Sequence, residues 1–261
     1  MTSTDKSSGQ GKLFIVGLGP GPDKWVAPEA REALEEADAL IGYKPYTDRV
    51  PERAGLERFP SDNRVELDRA RHALRLACAG RKVAVVSGGD AGVFGMAAAV
   101  LEAAETGEAD WRALDIQVVP GVSAVLAAAA RLGAPLGHDF CVISLSDNLK
   151  PWDIIVRRLR SAAEGDFVIA LYNPASKARP RQIFDAFELL RELKDGATPV
   201  ALARAVGRAD ERIILGDLAL IDPGLVDMAT LVLVGSSETR FIPRPGGEKW
   251  LLTPRSYGAG R

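Results

Sequence analysis

Two kinds of hydrophobic pattern alternate along the chain. Short, mostly apolar runs at residues 13–16, 39–41, 82–86, 115–119, 140–145, 167–171, 199–203, 212–215 and 230–234 have the length and β-branched content of strands. Between them, apolar residues recur at helical spacing. Pro28 suits a first helical position ahead of residues 29–37, and Leu67, Ala70, Leu74 and Ala77 mark a second helix that stops at Gly80. Further helices are predicted over 96–105, over 123–132, after Pro151 with Trp152, Ile155, Val156 and Leu159 on one face, and along Ile183, Ala186, Phe187, Leu190 and Leu193. Strand–helix alternation of this kind predicts an α/β protein. The run Gly133-Ala134-Pro135-Leu136-Gly137-His138-Asp139 breaks it and reads as a linker. The expected organisation is a disordered tail at 1–11, α/β domains at 12–137 and 138–244, and an irregular Gly/Pro-rich tail at 245–261.

The junctions carry the candidate chemistry. Strand 82–86 runs into Ser87-Gly88-Gly89-Asp90-Ala91-Gly92-Val93-Phe94-Gly95 and then a helix. Glycines there let backbone approach a ligand, and Asp90 could hold a ribose hydroxyl or an amino group. The first strand ends in Gly17-Leu18-Gly19-Pro20-Gly21-Pro22, which only superficially matches a dinucleotide fingerprint. Its third glycine comes one position early, two prolines remove N–H donors, and the second strand ends in Gly42-Tyr43 without the expected ribose-binding acid. A nicotinamide cofactor is therefore not expected. A third turn, Pro120-Gly121-Val122-Ser123-Ala124, offers Ser123 as a helix N-cap. Residues 42–49 read as a solvated turn or a binding loop.

Composition narrows the class. Across 261 residues, 33 Lys and Arg nearly balance 35 Asp and Glu, so no global field favours nucleic acid or an anionic membrane. Two cysteines and two histidines, all far apart, predict neither a metal site nor a disulfide framework. Cys78 reads as a small core residue and His72 as inert on a charged face. No apolar run has the length of a membrane span, so a soluble cytoplasmic protein is expected.

Taken in order, the Gly17, Ser87 and Pro120 turns and Tyr172-Asn173-Pro174 resemble the tetrapyrrole methylase family. The resemblance runs from about residue 12 to 234. It implies two α/β domains of that family's type with the active site in the cleft between them, S-adenosylmethionine as methyl donor, a tetrapyrrole substrate and a homodimer. The runs at 42–46 and 133–147 are similar to members that methylate carbon 17 and contract the macrocycle, extruding a bridging carbon as an acetyl group on the way to cobalamin. Position by position, the resemblance implies cofactor contacts at Gly88, Gly89, Asp90, Val93, Ser123 and Ala124. Tyr172, Asn173, Ala205, Thr230 and Leu231 would contact it from the second domain, and Pro20 would line the cleft.

A tetrapyrrole carries many carboxylates, so cations on the turns are candidate substrate ligands: Lys44, Arg49, Lys150, Lys177, Arg179 and Arg204. Ring contraction also needs an acid and a base, for which Asp147, Asp48 and His138 are the candidates. His138 could instead satisfy the linker backbone. Three rival readings share the pattern: methylation at another tetrapyrrole position, methylation of RNA or a protein histidine, and non-catalytic binding of a tetrapyrrole or nucleotide. Near-neutral charge and 6% aromatic content count against RNA.

Overall fold

The computed structural model describes residues 11–62, 65–176 and 178–258. The tail expected at 1–11 thus lies outside the described residues except for Gly11. Backbone contacts divide the chain between Ala124 and Val125, earlier than the boundary read after Gly137.

In the first unit, β1 (Lys12–Gly17), β2 (Ala39–Tyr43), β3 (Glu57–Ser61), β4 (Lys82–Ser87) and β5 (Asp115–Val119) form one sheet in the order β3-β2-β4-β1-β5. Every pairing is parallel. Helices α1 (Pro28–Glu36), α2 (Lys44–Thr47), α3 (Glu66–Cys78) and α4 (Met96–Thr106) connect or cover it. Alternation along the strands sends Leu13, Ile15, Ile41, Val83 and Val85 into a core with Ala70, Leu74, Ala97 and Val100 of α3 and α4. Phe14, Val16, Leu40, Ala84 and Val86 face the other way, onto Ala30 and Ala33 of α1. Burial on both faces explains why these strands read as continuous apolar runs.

The second unit opens within α5 (Ala124–Leu132), at Val125. It holds β6 (Gly133–Ala134), β7 (Phe140–Ser144), α6 (Trp152–Glu164), β8 (Val168–Tyr172), α7 (Gln182–Leu193), β9 (Pro199–Arg204), β10 (Arg212–Asp217), β11 (Thr230–Val234), β12 (Arg240–Pro243) and β13 (Lys249–Leu252). Five strands form a mixed sheet, β10-β9-β11-β8-β7. Helices α6 and α7 bury Ile155, Leu159, Ile183, Phe187 and Leu190 against Ile169, Leu171, Leu202 and Val232. β7 pairs with β8 in parallel, and β11 runs antiparallel to both β8 and β9. The ends of β7, β8 and β9 therefore share one sheet edge with the start of β11.

Several elements depart from the sequence reading. β3 falls where the sequence reading assigns no element, because its residues, at a sheet edge, are half-buried or exposed and carry no apolar run. The tail expected to be irregular contributes β13, which pairs with β12 and, in parallel, with β6. Residues 42–49 are not a loop throughout, since β2 continues to Tyr43 and α2 follows. Leu67 is 45% exposed, and Cys78 is exposed rather than in the core. Among the described residues no helix is long and apolar enough to cross a membrane.

Candidate active site

All strands of the first sheet are parallel, so the turns after β1, β4 and β5 leave the same edge, where α/β sheets bind ligands. They meet main chain to main chain. Gly19 N–H donates to the Gly89 carbonyl at 3.0 Å and Leu18 N–H to that of Ser87 at 2.9 Å. A Cβ on Gly17 would lie 2.8 Å from both Gly121 N and Gly89 O, and one on Gly121 would lie 2.5 Å from Gly89 O. Glycine at 17 and 121 is thus what lets the three turns touch. At Gly88 the obstacle is the Tyr46 ring, which a Cβ would approach to 2.6 Å and which stands edge-on to Tyr43 at 5.4 Å. Gly89 differs: its φ is +73° and nothing lies closer than 3.8 Å to a Cβ there. A side chain there would make only ordinary contacts, so what glycine supplies at 89 is the left-handed conformation.

Asp90 ties this edge together. Its Oδ1 accepts the Gly92 N–H at 2.8 Å and its Oδ2 the Gly121 N–H at 2.9 Å. Each oxygen keeps a lone pair, so the carboxylate can still accept a hydroxyl or ammonium donor. Behind it, Ser87 Oγ accepts the N–H of Met96 at 3.0 Å, capping α4 across the whole turn. Val93 is half-buried, and Pro20 and Ser123 are buried.

The cations proposed from sequence for this unit are committed internally. Arg49 donates to the carbonyls of Leu18 and Gly19, both at 2.8 Å, and of Gly21 at 2.9 Å, clamping the Gly/Pro turn from outside. Lys44 pairs with Asp48 at 2.7 Å, one helical turn apart and both exposed, so that candidate base and that candidate cation hold each other. A buried guanidinium that the sequence reading missed, Arg69, donates to Ser61 Oγ and the Asp62 carbonyl and touches Met96 Sδ at 3.3 Å. Its pKa is lowered chiefly by burial, against Glu66 and Tyr46. A cavity of about 420 Å³ lies behind the Gly/Pro turn, lined by Leu18, Val26, Leu34, Val50 and Arg49 among others. It does not reach the 87–95 turn.

In the second unit the topology gathers Tyr172, Asn173, Ala205, Thr230 and Leu231 at one sheet edge, with Thr230 opposite Arg204 in register. Tyr172 OH accepts the Val125 N–H at 2.8 Å, so a tyrosine distant in sequence takes the capping role at α5 that the sequence assigns to Ser123. Asn173 donates from Nδ2 to Ser144 Oγ at 3.0 Å. Thr230 Oγ1 donates to Asp227 Oδ1 at 2.8 Å. Arg204 lies between Asp210 and Asp227, at 2.7 and 2.8 Å, and these two hydrogen bonds raise its pKa. Two carboxylates thus neutralise this candidate substrate cation.

Asp147 stands at the same edge, beyond β7. Its Oδ2 accepts from Gln182 Nε2 at 3.0 Å and its Oδ1 lies 3.9 Å from Arg179 Nε. Arg179, buried, donates from Nη1 to the carbonyls of Leu145 and Asn173 at 3.3 Å. Among the described residues, Arg179 Nε, Gln182 Oε1 and Ser176 Oγ are buried without a hydrogen-bond partner, a concentration of unmet polar atoms near Asp147. Lys150, half-buried, makes no hydrogen bond or ion pair among the described residues. Burial lowers its pKa, followed by the nearby Arg158 and Arg179. Lys177 lies outside the described residues. His138 is placed elsewhere: β7 separates it from Asp147 by five residues, about 16 Å of strand. Its Nδ1 accepts the Asp139 N–H at 2.8 Å and its ring meets Tyr257, so it serves the linker backbone.

Backbone strain gives an independent marker. Four described non-glycine residues have positive φ: Phe94, Asp166, Asn173 and Ala205. Phe94 lies in the 87–95 turn, while Asn173 and Ala205 lie at the gathered edge of the second sheet. Such conformations persist where surrounding structure over-determines them and concentrate at binding sites. With the left-handed backbone at Gly89 and the spare acceptors of Asp90, the residues present fit a nucleoside bearing an amino-acid chain.

Residues 12–222 match the family described as Tetrapyrrole (Corrin/Porphyrin) Methylases. The chain is 56% identical over 247 residues to a precorrin-3B C(17)-methyltransferase of a Sinorhizobium species, covering 95% of this chain and 97% of that protein. It is 41% identical over 252 residues to a probable cobalt-factor III C(17)-methyltransferase of Salmonella typhimurium, covering 94% and 99%. The crystal structure of the methyltransferase CobJ superposes with a TM-score of 0.89 at 50% identity, covering 94% of this chain and all of that one. With the family match running from β1 through β10 and the relatives covered almost end to end, the chain belongs to the tetrapyrrole (corrin/porphyrin) methylase family.

Proposed function

We propose that this protein transfers a methyl group from S-adenosylmethionine to carbon 17 of precorrin-3B and contracts the macrocycle to precorrin-4, a step of cobalamin biosynthesis. The observation that carries the reading is the 56% identity to a precorrin-3B C(17)-methyltransferase over nearly the full length of both chains. The turn backbone at Gly88 and Gly89, the Asp90 carboxylate, Val93, Ser123 and Ala124 are assigned to the cofactor, with Pro20 beside them. Tyr172, Asn173, Ala205, Thr230 and Leu231 are assigned to it from the second unit. Bound there, S-adenosylmethionine supplies an electrophilic methyl group.

The protein's part in the transfer is chiefly positioning, which can lower a barrier by about 7–11 kcal/mol when reacting groups are well oriented. Turns locked main chain to main chain hold their positions without side-chain rearrangement, which suits that task. Lys150 is the described cation best placed to meet a substrate carboxylate, since Arg49, Arg204 and Lys44 already hold internal partners. Contraction requires removing a proton from the tertiary alcohol and protonating the leaving lactone oxygen, and Asp147 is assigned to one of these transfers. The unmet donors and acceptor around it support that assignment. The reading also includes a cytoplasmic location and a homodimer, the latter measurable by light scattering.

The test is anaerobic incubation with S-adenosylmethionine and separately generated precorrin-3B, following the optical spectrum and product mass. A gain of one methyl group with a changed chromophore is expected. Binding of S-adenosylhomocysteine without turnover would overturn the substrate assignment, and turnover of cobalt-factor III alone would move it to the cobalt-containing intermediate.

A further inference from the structure

Gln182 gives up half of its hydrogen bonding to hold one carboxylate. It opens α7, half-buried, and its Nε2 donates to Asp147 Oδ2 at 3.0 Å across 35 residues of sequence. The other end of the same amide, Oε1, is buried and has no partner among the described residues. Rotating the amide by half a turn would exchange the two ends, but it would set Oε1 against Oδ2, acceptor against acceptor. The carboxylate therefore fixes which way the amide points, and the orphaned Oε1 is the result.

Arg179 makes a similar concession. Its Nη1 donates to the carbonyls of Leu145 and Asn173, yet its Nε, buried without a hydrogen-bond partner, lies 3.9 Å from Asp147 Oδ1. An N–H group thus stands near each oxygen of Asp147, one from α7 and one from the loop before it. A buried polar atom left unpaired is costly, and native folds keep few of them. Here two of them belong to side chains turned on one carboxylate. A glutamine that only tied α7 to the segment after β7 would satisfy both of its ends. Asp147 accepts no other hydrogen bond among the described residues, and its side chain is 29% exposed. With Oδ2 held, Oδ1 is the oxygen left to exchange a proton.

We infer that Gln182 is a positioning residue for ring contraction, holding Oδ2 of Asp147 so that Oδ1 faces the proton being transferred; this rests on the role proposed above for Asp147. The proton passes between Oδ1 and the substrate oxygen, its bonding pair staying with the oxygen it leaves. Gln182→Met keeps the length of the side chain and removes the donor. Gln182→Glu keeps the shape, suits the start of a helix and sets a carboxylate against Asp147. Given precorrin-3B and S-adenosylmethionine, both variants are expected to accumulate the methylated, uncontracted product by mass. Contraction is expected to slow about a hundredfold, as for a misplaced catalytic group. KM for precorrin-3B and affinity for S-adenosylhomocysteine are expected to hold, which a general loss of structure would not allow. Contraction as fast as in the unmodified protein, in either variant, overturns the inference, because the donor is then dispensable. So does a joint loss of methylation and S-adenosylhomocysteine affinity, which would make Gln182 part of the scaffold.

Failure of the functional reading is separable from these outcomes. Should the unmodified protein accept cobalt-factor III instead of precorrin-3B, the same variants are compared on that substrate. Turnover of neither, or contraction that persists in Asp147→Asn, overturns the positioning role together with the reading beneath it. Normal contraction by the Gln182 variants, with Asp147→Asn unable to contract, overturns the positioning role and leaves that reading standing.

Discussion

Gly121→Ala tests whether the three turns of the first unit owe their arrangement to backbone contact. The added Cβ would fall 2.5 Å from the Gly89 carbonyl oxygen and 2.7 Å from that of Gly17. Both obstacles are main-chain atoms, so no side chain can swing aside. Overpacking a filled site costs about 1–3 kcal/mol, and two backbone segments must move here, so about 3 kcal/mol is expected. Gly89→Ala is the natural comparison, because it lies in the same cluster with no atom closer than 3.8 Å to the new methyl. Its cost is confined to the left-handed φ of +73°, worth about 1–2 kcal/mol. Urea titrations followed by circular dichroism and by tryptophan fluorescence would measure both, each probe fitted separately because two units need not melt together. The displacement also reaches Asp90, whose Oδ2 accepts the Gly121 N–H. Calorimetry should therefore find S-adenosylhomocysteine bound at least about tenfold more weakly by Gly121→Ala. A Gly121→Ala protein no less stable than Gly89→Ala, with cofactor-product affinity intact, would refute the packing argument.

Other outcomes follow from single residues. Asp147→Asn should leave methylation in place but stop contraction, giving a methylated, uncontracted product by mass; an unchanged product removes Asp147 from the chemistry. Burial works to raise the pKa of Asp166, but hydrogen bonds from Ser237 and Tyr257, with Lys194 nearby, outweigh it and hold the carboxyl below its usual range. Its stabilising contribution is therefore whole above the unfolded pKa of about 3.9 and lost as pH falls through the folded value. Melting temperature should drop more steeply on acidification in the unmodified protein than in Asp166→Asn, and parallel curves would contradict this. Burial pushes the Cys141 thiol up to about 11, leaving about one part in a thousand as thiolate at pH 8. Iodoacetamide should label exposed Cys78 first, although burial, Asp110 and Glu108 raise that thiol too; equal labelling by peptide mass would argue against the burial.

The strands β1, β4, β8 and β11 are legible in the sequence because burial on both faces writes an unbroken apolar run. β3 is not, because the edge strand Glu-Arg-Phe-Pro-Ser needs little apolar surface. The turns at 17–22, 87–95 and 120–124 are legible as glycine clusters, but the reason for each glycine is not. Gly17 and Gly121 serve contact between backbones, Gly88 makes room for Tyr46, and Gly89 alone of these takes a left-handed φ. Sequence could not reveal the partners of Arg49, which are carbonyls 28 to 31 residues away and leave no mark on residue type. The same limit applies to Tyr172, whose hydroxyl caps a helix 47 residues earlier. Charge type alone therefore does not show which cations already hold internal partners, while the glycine turns, defined by backbone conformation, are easier to locate.

Strand β13 has a consequence for synthesis. It pairs with Gly133–Ala134, and Thr253 just beyond it donates to the Pro135 carbonyl across a separation of 118 residues. All five strands of the first sheet are available once residue 119 has left the ribosome, so that sheet can assemble while translation continues. The small sheet β12-β13-β6 cannot close until residue 252 follows. At about 5–20 residues per second, Gly133 and Ala134 wait several seconds for their partner, an interval in which a nascent chain is open to chaperones and proteases.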